Sequence, residues 1–149
     1  MTIFDRIIQG ELPASFVLKD EHCVAFMDIH PMRPGHVLVV PRKSVAILDE
    51  VPAAVRDHLW EVARRIGQAQ RAALGSRAQH LLLNDGKAAS QTVPHVHIHV
   101  IPRWGNDHVR AIAQMIFHVA TLTLPHRESP KRRVQLDQQA AQIAAALKG

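Results

Sequence analysis

The segment "HVHIHV", residues 95–100, constrains the fold more than any other stretch of the chain. Histidine and aliphatic residues alternate strictly through it, which is the period of a β-strand, where successive side chains point to opposite faces. His95, His97 and His99 then share one face, and Val96, Ile98 and Val100 share the other. The aliphatic face can be buried, while imidazoles on the opposite face stand roughly 7 Å apart. Such a strand needs a sheet around it, an apolar layer beneath it and a use for its histidines.

The flanking sequence supplies the sheet. "TIFDRIIQG" has apolar residues at 3, 4, 7 and 8 and predicts a short amphipathic helix ended by Gly10. "FVL" (16–18) and "CVAFMD" (23–28) read as strands separated by the turn-like "KDEH", and "HVLVVP" (36–41) as a third strand closed by Pro41. "HPMRPG" (30–35) is a loop, because two prolines and a glycine cannot continue a ladder. Val55, Leu59, Val62, Ile66, Ala69 and Ala73 repeat at steps of 4, 3, 4, 3 and 4, one apolar stripe on a long helix from about Pro52 to Leu74. Pro52 suits its first turn and Gly75 its C-terminal cap. "QHLLLN" (79–84) and "HVHIHVI" (95–101) complete five strands. Hairpin-length connections with one long crossover helix predict an α+β fold with a mainly antiparallel sheet over residues 1–104. Residues 105–149 form a helical extension: Ile112, Met115, Ile116 and Val119 align in one helix, Leu136, Ala140, Ile143 and Leu147 in another, with "LPHRESPKRR" between. It packs on the same domain or on a dimer partner.

At 149 residues the chain can bury one real core but not two. The first ten residues mix acid and base without a long apolar run, so no secretory signal is expected, and no run is long enough for a membrane span. Cys23 is the single cysteine, which excludes an intrachain disulfide and any multi-cysteine zinc motif. A cytoplasmic setting follows. The net charge of +5 and pI near 10.1 suit a phosphate-bearing ligand. The basic cluster at 126–133 reads as solvated surface, and no nucleic-acid partner is expected.

Three uses of the histidine row compete. The rings could be satisfied core groups, but three buried imidazoles need three sets of partners. They could hold a metal, yet side chains on one straight strand diverge, and Asp85 and Asp107 lie some ten residues away in sequence. Or a neutral imidazole could attack phosphorus while a neighbour bonds the phosphate and handles the proton. The last use explains the crowding. It also fits "NDGKAASQTVP" (84–94), where Asn84, Ser90, Gln91 and Thr92 offer polar groups and Gly86 lets backbone approach a ligand.

"QTVPHVHIHVIPR" (91–103) resembles the signature of the histidine-triad (HIT) superfamily. "TIFDRIIQGELPA", "CVAFMDIHPMRPGHVLVVPRK" and the Asn84 strand follow in the order of its Hint and HIT-hydrolase branches. The resemblance covers roughly residues 2–104. It implies a homodimeric nucleotide-binding fold acting on the α-phosphate of purine nucleotides through a histidine–nucleotidyl intermediate, without a metal or other cofactor. By position, His97 would be the nucleophile and His99 would contact the phosphate and assist proton transfer. His95 and His36 would orient and support His97. Gln91, Thr92, Ser90 and Asn84 would hold the phosphate side, Asp28 the ribose hydroxyls, and Ile3, Phe4, Ile7 and Phe26 the base. The substrates implied are nucleoside phosphoramidates or dinucleoside polyphosphates. The alternative is a nucleotide-binding module with vestigial catalysis. Two departures stand out. Ser90 occupies a position where relatives usually carry glycine, and "TIFDRI" replaces the Cys-x-x-Cys zinc stretch of some relatives, so no structural zinc is expected.

Overall fold

The computed structural model describes residues 1–121 and 128–149. Five strands, β1 (Phe16–Lys19), β2 (Cys23–Met27), β3 (Val37–Pro41), β4 (Ala78–Leu83) and β5 (Ile98–Arg103), form one antiparallel sheet in the order β1-β2-β3-β5-β4. Four helices accompany it: α1 (Ile3–Ile8), α2 (Ala53–Leu74), α3 (His108–Thr121) and α4 (Pro130–Lys148). The α+β architecture is the one the strand and helix patterns predict. Among the described residues no helix is long and apolar enough to cross a membrane.

The two faces of the sheet do different work. Ala25, Met27, Val37, Val39, Ile98 and Val100 point into one apolar cluster with Leu59, Val62, Ala63, Ile66 and Ala69 of α2 and Leu136, Ala140 and Ile143 of α4. The α2 stripe is therefore the buried face, as its spacing predicts, and Gly75 ends the helix in the left-handed conformation. Pro52 sits at the N-cap rather than inside the first turn. On the opposite face Val24, Phe26, Leu38 and Val40 pack with Phe4 of α1.

The fifth strand differs from its expected span of 95–101. Its ladder begins at Ile98, paired with Val39, and runs on to Arg103. Further pairing would reach Pro41, which has no N–H to donate. Residues 95–97 are instead held by loop bonds, with the Val96 N–H donating to the Val45 carbonyl at 2.8 Å and the His95 N–H to Val93 at 2.8 Å. Of the break expected over "LPHRESPKRR" (124–133), residues 124–127 with His126 lie outside the described residues, as does the Val119 side chain, and "PKRR" is instead the first turn of α4, capped by the Ser129 hydroxyl.

Candidate active site

Alternation places His97 and His99 on the α1 side of the sheet, beside Phe26 and Leu38, because Val96, Ile98 and Val100 fill the core on the other. The rings of His97 and His99 are 4.9 Å apart, and Phe4 stands edge-on to both His95 (5.7 Å) and His97 (5.1 Å). His36 enters from the start of β3, its ring 5.1 Å from that of His99. The loop before His36 turns at Gly35, where φ is +84° and an added Cβ would stand 2.3 Å from Leu74 of α2. Buried Gln70 of α2 donates to the carbonyls of Gly35 (2.9 Å) and Val100 (3.0 Å), locking that turn to β5.

Hydrogen bonds assign the protons. The Met32 N–H donates to His36 Nδ1 at 3.1 Å, so neutral His36 carries its proton on Nε2 and donates it to His99 Nδ1 at 2.9 Å. His99 then bears its own proton on Nε2, a nitrogen buried without a hydrogen-bond partner among the described residues, on a ring that lines a cavity. His97 Nδ1 donates to the His95 carbonyl at 2.7 Å, which leaves Nε2 of His97 as a lone pair. His95 Nε2 donates to the Pro41 carbonyl at 2.8 Å. Burial, above all, pushes the pKa values of His36, His95, His97 and His99 down. For His99 the neighbouring rings of His36 and His97 add to the fall. Burial works to raise Asp28, but His36 and the His30 N–H outweigh it and keep the carboxylate ionised.

The cavity holds about 350 Å³, within the range of small-molecule sites. Ile3, Phe4, Ile7 and Phe26 line it with Asp28, Thr92, His97 and His99, while His95 and His36 stand behind its wall. Asn84, Ser90 and Gln91 are not among its lining residues. Gln91 is turned into its own loop, accepting from the Gly86 N–H at 2.7 Å and donating to the Ala46 carbonyl at 2.8 Å, so it braces the loop. Ser90 adopts φ +64°, a conformation that favours glycine, so the glycine preference at this position has a steric basis.

Other lining residues escaped the sequence patterns. His30, Val93, His118, Glu128 and Arg133 also face the cavity, so two elements from beyond residue 104 reach it. Arg133 is fixed by the Ser15 hydroxyl at 3.0 Å and the Glu128 carboxylate at 2.5 Å. No local spacing links positions this far apart.

Two groups of potential metal ligands occur among the described residues. In Asp28, His36 and His99 the facing nitrogens of the two histidines are spent on each other. Asp20, Cys23 and His58 form the second, in which Asp20 accepts from both the Cys23 and His22 N–H groups and pairs with His58 at 2.7 Å. Burial and Asp20 push the Cys23 thiol up to about 12, so it is not a resting thiolate.

A family profile for the HIT domain matches residues 9–106. An uncharacterised HIT-like protein of Methanocaldococcus jannaschii is 41% identical over 109 residues, covering 72% of this chain and 82% of that one. The adenylylsulfatase HINT3 of Arabidopsis thaliana is 36% identical over 105 residues, 70% of this chain and 53% of its own length. Among solved structures, a zinc-bound histidine triad family protein from Mycobacterium smegmatis superposes with a TM-score of 0.77 at 31% identity, covering 98% of this chain and 92% of that one.

Proposed function

Because the chain belongs to the HIT domain family, we propose that it is a nucleotide hydrolase or transferase that uses His97 as its nucleophile. One observation carries the reading: His97 Nε2 is a lone pair and His99 Nε2 an unpartnered donor on adjacent rings lining one cavity. A purine would sit against Ile3, Phe4, Ile7 and Phe26, with the ribose hydroxyls on Asp28. Attack by His97 Nε2 on the α-phosphorus forms a P–N bond and breaks the bond to the leaving group. The His99 N–H donates to the departing atom, and the His95 carbonyl supports the charge that appears on His97. Water then attacks phosphorus, the P–N electron pair returns to His97 Nε2, one water proton stays on the nucleoside monophosphate while the other passes to solvent, and the monophosphate leaves. No step in this sequence requires a metal.

Asn84, Ser90 and Gln91 act in this reading by shaping the phosphate loop, and Thr92 contacts the phosphate directly. The leaving group is an amine, a nucleotide or, given the plant adenylylsulfatase, sulfate. β4 leaves one sheet edge unpaired and Leu81 partly exposed on it, which suits a homodimer.

The test is AMP release from adenosine 5′-phosphoramidate, diadenosine tetraphosphate and adenosine 5′-phosphosulfate with EDTA present. Wild type is expected to turn over at least one of them and His97→Ala none, while the variant still binds AMP. Near-normal turnover by His97→Ala would overturn the assignment. AMP binding without turnover by wild type would establish the binding-module reading instead.

A further inference from the structure

The contacts around His95 begin 93 residues away in the chain. Thr2 caps α1: its hydroxyl accepts from the Asp5 N–H at 3.2 Å, and the Asp5 carboxylate accepts from the Thr2 N–H at 2.6 Å. That same hydroxyl lies 3.0 Å from His95 Nδ1, and the Ser44 hydroxyl lies 3.4 Å from it. The Thr2 hydroxyl also stands 3.0 Å from one Asp5 oxygen, the other Asp5 oxygen is 3.9 Å from the ring, and Ser44 faces the same carboxylate and helps to lower its pKa.

Proton counting makes this arrangement specific. His95 is wholly buried, and its Nε2 faces the Pro41 carbonyl, which can only accept. Nε2 therefore keeps the proton, and in the neutral ring Nδ1 is a lone pair that needs a donor. Among the described residues the two hydroxyls are the donors that reach it. One serves Nδ1 and the other serves Asp5. The reverse tautomer would set a lone pair against the Pro41 carbonyl.

We propose that Thr2, Asp5 and Ser44 form a polar clamp that, together with the Pro41 carbonyl, fixes the ring and tautomer of His95 and, through the His95 carbonyl, the orientation of His97. None of the three lines the cavity, so they are positioning residues. The clamp sits at the start of α1, whose Ile3, Phe4 and Ile7 form the apolar end of the cavity. One six-residue helix thus both walls the base end and holds the chain that aims the nucleophile. The inference rests on His97 being that nucleophile.

The experiment combines nitrogen NMR of the histidine rings with steady-state kinetics on wild type, Thr2→Val/Ser44→Ala, Asp5→Asn and Thr2→Ser. Wild type and Thr2→Ser are expected to show His95 protonated on Nε2 alone. In the double variant the Pro41 carbonyl still holds the Nε2 proton, but the Nδ1 signal should move to that of a lone pair without a hydrogen bond, with kcat falling on the order of ten- to a hundredfold and KM for the nucleotide little changed. Asp5→Asn, nearly isosteric and so the safeguard against misfolding, should shift the same signals and lower kcat less. An unchanged Nδ1 signal, or wild-type kcat, in the folded variants overturns the clamp. Should wild type turn over nothing, the reading of His97 fails, and the ring signals still decide whether the clamp exists.

Discussion

At the scale of single residues, the site is a set of imidazoles kept neutral by burial, with both nitrogens of His36 and His95 committed and one each of His97 and His99. Protonation would remove the His97 lone pair, and burial lowers the pKa at which that happens. The acid limb of kcat/KM is therefore expected below the ordinary histidine value of 6.5, with activity level above it. A limb centred at or above that value in the free enzyme would mean that His97 is not the titrating nucleophile. The alternation in "HVHIHV" made the common side of His97 and His99 legible, because Val96, Ile98 and Val100 had to go into the core. It did not reveal the protons. Those are set by Met32, Pro41 and Thr2, residues with no spacing relation to the row. Gln91 shows the opposite failure, since its place in the loop before β5 was readable but its inward turn toward Ala46 was not.

At the scale of elements, α2 was the most legible part of the chain. Its 4-3-4-3-4 stripe and glycine stop are local signals, and local signals survive into the fold. What α2 does for the site was hidden, because Gln70 interrupts nothing in the pattern yet ties Gly35 to Val100. The same helix carries His58, which pairs with Asp20 in the β1–β2 turn across 38 residues of sequence. Burial works to raise Asp20, but His58 and two backbone N–H groups hold its pKa down to about 2, against 3.8 unperturbed. A carboxyl depressed by folding contributes stability that is complete above its unfolded pKa and is lost as pH falls toward the folded one. Thermal melts of the wild type should therefore lose this contribution between about pH 4 and pH 2. Asp20→Asn should be less stable near neutrality and lack that component of the acid loss. Parallel wild-type and variant profiles from neutrality to pH 2 would show that the pair adds nothing.

At the scale of the whole molecule, the question is whether the segment after residue 104 melts with the sheet. Leu136, Ala140 and Ile143 of α4 belong to the same apolar cluster as Met27, Val39 and Ile98 of the sheet and Ile66 of α2. The Ser15 hydroxyl, at the edge of β1, donates to Asp137 of α4 at 2.5 Å and accepts from Arg133 at 3.0 Å. The apolar stripe of α4 was readable as a stripe, but its destination was not, because a sequence pattern names a buried face without naming what buries it. Elements that share one cluster have no separate core with which to fold apart. Ile143, fully buried, tests this directly. Ile143→Ala should cost about 3 kcal/mol through lost burial and the cavity left behind. For a domain of this size that lowers Tm by roughly 10 °C. The loss should appear in one transition, with sheet and helix signals moving together. Two transitions, with the sheet melting at its wild-type temperature, would instead make α4 a separate unit resting on the sheet. Arg133 reaches the cavity from α4, so cooperative melting also predicts that nucleotide raises the Tm of the entire chain rather than of the sheet alone.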